Sequence, residues 1–412
     1  MTKCIDFLYA LRHNTAHKSK SYLCFMNGKY DLRGVSSGKE EVHEAIKDLS
    51  KGLFPLAFCK ILPDVAGQDP DHCNIMHADT AGTKTALAYL YWRETGNTGV
   101  WEGIAQDALV MNLDDMACVG VTDQFLISST IGRNKHLIPG EVIAAVIKGT
   151  NRFIENMAEQ GIHIHHSGGE TADVGDIVRT IDVGITAFAR IPKSSLLVNR
   201  IKPGNVIVGL ASFGQASYES AYNGGMGSNG LTSARHDVLH HDYSSVYPES
   251  FSPETDEAVV YSGSRKLTDP SPVEGIDTGT LILSPTRTYL PVIREILVNH
   301  REAIDGMIHC TGGGQTKVLH FAENVHIIKD NLFPVPPLFR MIQEESRTDW
   351  KEMYRVFNMG HRLEIYCSEE AAEGIMKIAS SYAIDSRIIG HVTSNQGARV
   401  TVAGEDNTYI YS

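Results

Sequence analysis

Residues 74–96 read NIMHADTAGTKTALAYLYWRETG. Asn74 to Ala78 predict a strand, and the stretch from Lys84 predicts a helix that Gly96 ends. Between them lies Asp79-Thr80-Ala81-Gly82-Thr83-Lys84, a glycine-containing turn from strand to helix. Helix amides at such a turn point at an incoming anion. The alternation continues outward. Residues 39–50 are amphipathic, with Val42, Ala45, Ile46 and Leu49 at helical spacing. Residues 103–118 predict a helix with Ile104, Ala108, Met111 and Asp115 roughly one above the other. Pro139 opens a long helix that Gly161 closes. Residues 177–189 alternate as a half-buried strand does.

Ile191-Pro192-Lys193 is the expected domain boundary. Beyond it, 205–210 predict a strand, 286–304 a helix, and Ala372, Ile375, Met376 and Ala379 a last helix before a closing strand pair. Residues 236–280 are rich in Ser, Pro, Asp and Glu, and read as an excursion or lid. The class is therefore α/β or α+β. The expected division is an N-terminal extension over 1–29, a domain over 30–190, and a second over 191–412 with the insertion 236–280. Met26 is an alternative start, because 1–25 are poorly patterned.

A chain of 412 residues exceeds one ordinary core. Its 42% hydrophobic and 21% charged residues are those of a globular protein. The net charge of −12, with no run of Lys or Arg, argues against nucleic acid and anionic membrane as partners. Seven scattered cysteines without CxxC spacing predict free thiols in a reducing compartment, and the expected location is cytoplasmic.

Further blocks follow the first in fixed order: Asp114-Asp115, then Ser167-Gly168-Gly169-Glu170-Thr171-Ala172-Asp173, Gly227-Ser228-Asn229-Gly230 and His309-Cys310-Thr311-Gly312-Gly313-Gly314. Glycine admits backbone amides close to a phosphate, and a carboxylate nearby can hold the magnesium that accompanies it. DTAGTK lacks Walker A spacing, so an ordinary P-loop is disfavoured. Taken alone, a six-residue Gly/Thr block such as DTAGTK is usually just a turn, and Glu170 after two glycines is a signal of similar strength. An acid in the apolar helix 103–118 is costly unless paired or metal-bound. His163, His165 and His166 lack zinc-site companions and are expected to be structural or surface residues.

The order DTAGTK, LDDMACVG, GGETAD, SNG, LSPTR, HCTGGG and MYRVFNMG resembles the aminoimidazole ribonucleotide synthase (phosphoribosylformylglycinamidine cyclo-ligase) family, which reads similarly as DGVGTK, VNDL, GGETAE, HSNG, LTPTR, HITGGG and MYRTFNCG. The resemblance implies two α/β domains, with N-terminal strands of two subunits pairing into a β-barrel in a homodimer, and a C-terminal mixed sheet with helices. It implies ATP-dependent closure of formylglycinamidine ribonucleotide to aminoimidazole ribonucleotide through a phosphorylated amide. It further implies Asp79, Asp115 and Glu170 as magnesium ligands. Thr80, Gly82, Thr83, Lys84 and Gly169 would join Asp79 and Glu170 around ATP. His309, Asp115 and Lys84 would be catalytic. Asn229, Arg235, Thr311, Gly312 and Gly313 would contact a phosphoribosyl substrate.

Some positions depart from the family pattern. Gly227 stands where the family has histidine, Ile127 replaces an Asp, Arg133 a Lys, and Asp31 the lysine of an N-terminal segment, with Arg33 close by. The glycine-rich loop before the first strand is reduced to Gly52-Leu53-Phe54. His361 and Arg362 stand where the family has small or apolar residues. These changes keep open another ATP-using enzyme of the same architecture, such as a small-molecule kinase or a carbamoyl-dehydrating maturation factor.

Overall fold

Alternating apolar residues put one face of β5 (Ile181–Pro192) into the core: Ile181, Val183, Ile185, Ala187, Ala189 and Ile191 are all buried. The computed structural model describes residues 32–35, 44–45 and 47–412. The expectations for 1–29 and Asp31, and most of those for 39–50, lie outside them.

In chain order the first half is β1 (Ile61–Pro63), β2 (His72–Thr80), α1 (Lys84–Thr95), α2 (Val100–Ala117), β3 (Phe125–Arg133), α3 (Gly140–Glu159), β4 (Ile164–Asp173) and β5. The strands form one sheet in the order β1-β2-β5-β3-β4. Only β3 and β4 run parallel, because α3 carries the chain back between them. Pro139 precedes α3 and Gly161 turns the chain after it with φ of 73°. The apolar helix α2 is buried along nearly its whole length, between the sheet, α3 and the second half. The other sheet face is open: Met76 is 64% and Leu126 46% exposed. The structure shows two sheets, each open-ended, and no closed barrel among the described residues.

The second half comprises β6 (Val206–Ala211), α4 (Leu231–Val238), α5 (Asp242–Val246), α6 (Thr278–Ile282), α7 (Leu290–His300), β7 (Ile304–His309), β8 (Val325–Lys329), α8 (Pro337–Ser346), α9 (Trp350–Val356), β9 (His361–Cys367), α10 (Glu369–Ser381), β10 (Ser386–Ser394), β11 (Arg399–Ala403) and β12 (Thr408–Tyr411). Its sheet has the order β12-β11-β8-β10-β6-β9-β7 and is mixed, with β8 and β11 parallel. Every residue of β9 is buried, including His361, Arg362 and Glu364. Three closing strands replace the expected pair.

Segment 236–280 is not a solvated excursion. Tyr243, Val260, Tyr261 and Leu267 are buried in it. Tyr91 on α1 donates to Asp277 at 2.9 Å, and Tyr89 donates to Glu249. The apparent lack of periodicity reflects short helices and turns laid onto α1. Arg33 also docks here: its guanidinium pairs with Asp237 at 2.9 Å and donates to the Val259 carbonyl at 3.0 Å.

Candidate active site

Two acids on one stripe of α2 clamp the halves together. Asp107 and Asp114 are seven residues apart, two helical turns. Asp107 accepts from the Thr286 amide at 2.7 Å and from the Lys84 ammonium at 2.8 Å. Asp114 accepts from the Thr288 hydroxyl at 2.6 Å and the Tyr289 amide at 2.8 Å, at the entry to α7. The LSPTR block is thus the receptor of this clamp. Arg287 within it reaches back to Glu219 at 2.6 Å.

Lys84 is fully buried, and its ammonium also donates to the Ser284 carbonyl at 2.6 Å. The structure therefore places in the clamp a residue that the resemblance implies at phosphate and in catalysis. Residues at the start of a helix point different ways, and the first turn of α1 directs Lys84 inward beneath Asp107. Burial pushes the lysine down and Asp107 up, and each restrains the other's shift.

Asp115 is turned about 100° from Asp114 around the helix and faces a different group. His309, at the end of β7, approaches it with Nδ1 at 2.7 Å. His77 on β2 approaches its other oxygen with Nε2 at 3.4 Å. Asn112, one turn before Asp115, bonds His77 Nδ1 at 2.9 Å and donates to the Asp79 carbonyl at 3.3 Å. His77 and Asp79 share a strand face, and the charges of Asp115 and Asp79 both act on His77. Asp79 also accepts the Thr80 amide at 2.7 Å.

Burial alone would raise Asp115, but hydrogen bonds from His309 and His77 hold it well below the usual carboxylate range. Its neighbour Asp114 is raised by burial. His77, which burial would lower, is raised by its bonds to Asp115 and Asn112. Perturbed groups of opposite tendency in one cluster mark a candidate functional site. On the far side of His309, Arg362 Nε donates to Nε2 at 3.2 Å. A guanidinium only donates, so His309 carries its proton on Nδ1 and gives it toward Asp115.

The other blocks assemble around this row. Thr83 and Thr232 exchange a hydroxyl bond at 2.7 Å, joining the first glycine turn to α4. A Cβ on Gly312 would lie 3.5 Å from Asn229 Nδ2, so the SNG and TGGG blocks face each other. Thr311 is buried, and its amide bonds the His309 carbonyl at 2.8 Å. Gly313 turns the chain with φ of 110°. A cleft of about 370 Å³ runs past Gly82, Thr83, Arg179, Asp182, Arg235 and Phe251. Arg235 is held there by the Ser250 carbonyl at 2.6 Å and the Tyr261 hydroxyl at 3.0 Å.

Glu170 and Gly169 do not join this row within one chain. GGETAD lies in strand β4, exposed at the sheet edge, and is not a turn. Thr80, Gly184, Thr130 and Glu170 are successive partners across four strands. Three strand spacings put Glu170 roughly 14 Å from Thr80. Asp79 belongs to the adjacent row, whose side chains point to the opposite, helix-covered face. Gly169 answers a packing need: a Cβ there would lie 2.0 Å from the Ser129 carbonyl oxygen.

His163, His165 and His166 are exposed, and the first pairs with Asp123 at 3.0 Å. A buried trio, Cys310, His361 and Glu364, has ligand-type atoms within 4.8 Å of one another. The Lys329 ammonium already bonds Glu364 there, so the trio is a charge-compensated support beneath β9. Sequence reasoning missed His77, whose place two residues before Asp79 was the available signal. It also left without a role the Arg362 contact to His309, which brings together residues 53 positions apart.

Residues 61–191 match the family model described as AIR synthase related protein, N-terminal domain. Residues 202–403 match that of its C-terminal domain. The chain is 28% identical over 327 residues to the phosphoribosylformylglycinamidine cyclo-ligase of Methanocaldococcus jannaschii, covering 79% of each. It is 28% identical over 321 residues to that of Pyrococcus furiosus, covering 77% of this chain and 79% of the relative. A chain in a HypE-HypF complex shares the fold with a TM-score of 0.56 at 15% identity, over 90% of this chain and 98% of the other. With both family domains matched in order around the Asp115–His309 row, the chain belongs to the AIR synthase related family.

Proposed function

We propose that the protein closes the imidazole ring of the purine precursor, converting formylglycinamidine ribonucleotide with ATP to aminoimidazole ribonucleotide, ADP and phosphate. The observation that carries this reading is Asp115, kept ionised in a buried row that draws His77 from one half and His309 from the other. An amide oxygen is a poor leaving group. Transfer of a phosphoryl group to it gives an iminophosphate, which the substrate's own amidine nitrogen attacks.

The chain's part is to position and to compensate charge. Asp79 and Asp115 offer the hard oxygen ligands that magnesium requires, and would hold it. Such an ion would offset phosphate charge. His309 presents a ring fixed in one tautomer beside Asp115. The Thr83–Thr232 contact and the Gly312–Asn229 approach bring the phosphate-type turns of both halves to one side. The cleft beside Gly82 and Arg235 has room for part of a nucleotide.

A second copy stacked on the open sheet face, through Met76 and Leu126, would cover the exposed β4 and Glu170 with it. We assign the homodimer, and the barrel two such sheets would close, to that face. Among the described residues no helix is long and apolar enough to cross a membrane, and a cytoplasmic location suits a purine pathway. Departures at Gly227, Ile127 and Arg362 sustain the second reading, another ATP-using enzyme acting on a different small molecule. Purified protein given formylglycinamidine ribonucleotide and Mg-ATP should release aminoimidazole ribonucleotide. ATP turnover evoked by another substrate, with no product from this one, would favour the second.

A further inference from the structure

We propose that Arg362 touches substrate, holding an anionic phosphoryl oxygen with one edge of its guanidinium. The inference deepens the ring-closing reading and rests on it for the identity of the ligand.

Three contacts fix the guanidinium. Nε donates to His309 at 3.2 Å, Nη2 donates to the Arg287 carbonyl, and the Tyr289 ring lies beneath with its centroid at 5.4 Å. None of these partners is a carboxylate. The fourth group, Nη1, is buried and has no hydrogen-bond partner. A buried cation with an unsatisfied N–H is costly unless an acceptor of opposite charge meets it.

Nη1 faces the SNG block. A Cβ on Gly227 would lie 3.3 Å from it, and Gly227 turns the chain there with φ of 71°. The next side chain, the Ser228 hydroxyl, is likewise buried without a partner. The unpartnered Nη1 thus lies beside the His309–Asp115 contact, and the residue after the glycine that faces it carries a second unpartnered polar group. The family pattern has a histidine at Gly227 and a small or apolar residue at Arg362. Here the bulk and charge stand on the facing strand, and the bare glycine leaves them room. Nη1 keeps its N–H groups for an anionic oxygen while the guanidinium stays charged in the interior.

The oxygen has two possible sources, the phosphoryl group in transfer or the substrate's ribose phosphate. The test compares wild type, Arg362→Lys and Arg362→Met for binding of inorganic phosphate by calorimetry, and for kcat and KM with the ribonucleotide and ATP. Wild type should bind phosphate, Arg362→Lys more weakly and Arg362→Met not at all. If the transferring group is held, kcat falls on the order of a hundredfold with KM for the ribonucleotide little changed. If the ribose phosphate is held, that KM rises instead, and a dephosphorylated substrate is turned over equally by all three. Wild-type phosphate binding and kinetics in Arg362→Met would overturn the proposal. Should that variant fail to fold, unchanged phosphate binding in Arg362→Lys would overturn it. Wild type that makes no product, yet loses phosphate binding on substitution, would sink the ring-closing reading and leave the anion site standing.

Discussion

Asp114 and Asp115 are neighbours on α2, yet one belongs to a clamp and the other to the row proposed as the reaction centre. Around Asp107 and Asp114 the donors are engaged: the Thr286 and Tyr289 amides and the Thr288 hydroxyl of the facing segment, and the Lys84 ammonium of α1, all reach carboxylates, while Asp107 Oδ2 is left without a donor. Around Asp115, polar groups remain in waiting: Arg362 Nη1 and the Ser228 hydroxyl are buried without partners. A cluster whose donors all meet acceptors within the chain holds a fold together. One whose donors lack acceptors costs stability in the same interior, and a ligand can supply what is missing.

Breaking the clamp should have the largest effect on stability. Lys84→Met leaves Asp107 buried without its cation, and we expect a loss of about 3–5 kcal/mol in denaturant unfolding. Activity per folded molecule should persist. Unchanged stability with lost turnover would return Lys84 to the phosphate site. Asp115→Asn should cut turnover on the order of a hundredfold, since a phosphoryl group loses charge compensation. Wild-type rates in that variant would remove Asp115 from the chemistry.

Titration sharpens the contrast further. His77 is raised in the folded protein, so its contribution is fully present below the unfolded value of about 6.5 and fades as pH rises through the folded value. Asp115 is depressed, so its contribution is present above the unfolded carboxylate value and is lost only as pH falls through its folded one. NMR should find His77 titrating above an ordinary histidine, and Asp115→Asn should bring it back down. A normal value in wild type would dissolve the row. His163→Ala, on the exposed edge, should change melting by no more than about 0.5 kcal/mol.

Much of this was legible beforehand. The turn after β2 is local, and strand, glycine and helix each carry their own signal. The order of the blocks identified the family on motifs, without contacts. The contrast between Asp114 and Asp115 was not legible, because it depends on helix rotation against partners in the other half. Lys84 looked like a phosphate ligand because Gly-Thr-Lys does so in general, and nothing local revealed Asp107 beneath it. The GGETAD block suggested a metal or phosphate site, whereas Gly169 in it answers strand packing against Ser129. Segment 236–280 hid its order because its tyrosines pack on α1 and not in a periodic element. Arg362 was visible as a departure, but its meaning needed His309 and Gly227 on either side.

Oxygen transfer tests the central claim most directly. Formylglycinamidine ribonucleotide labelled with oxygen-18 in the formyl amide should be incubated with Mg-ATP and the protein. The label should appear in the released phosphate, one atom for each aminoimidazole ribonucleotide formed. Label released into water, or ADP formed with no ring product, would contradict the account.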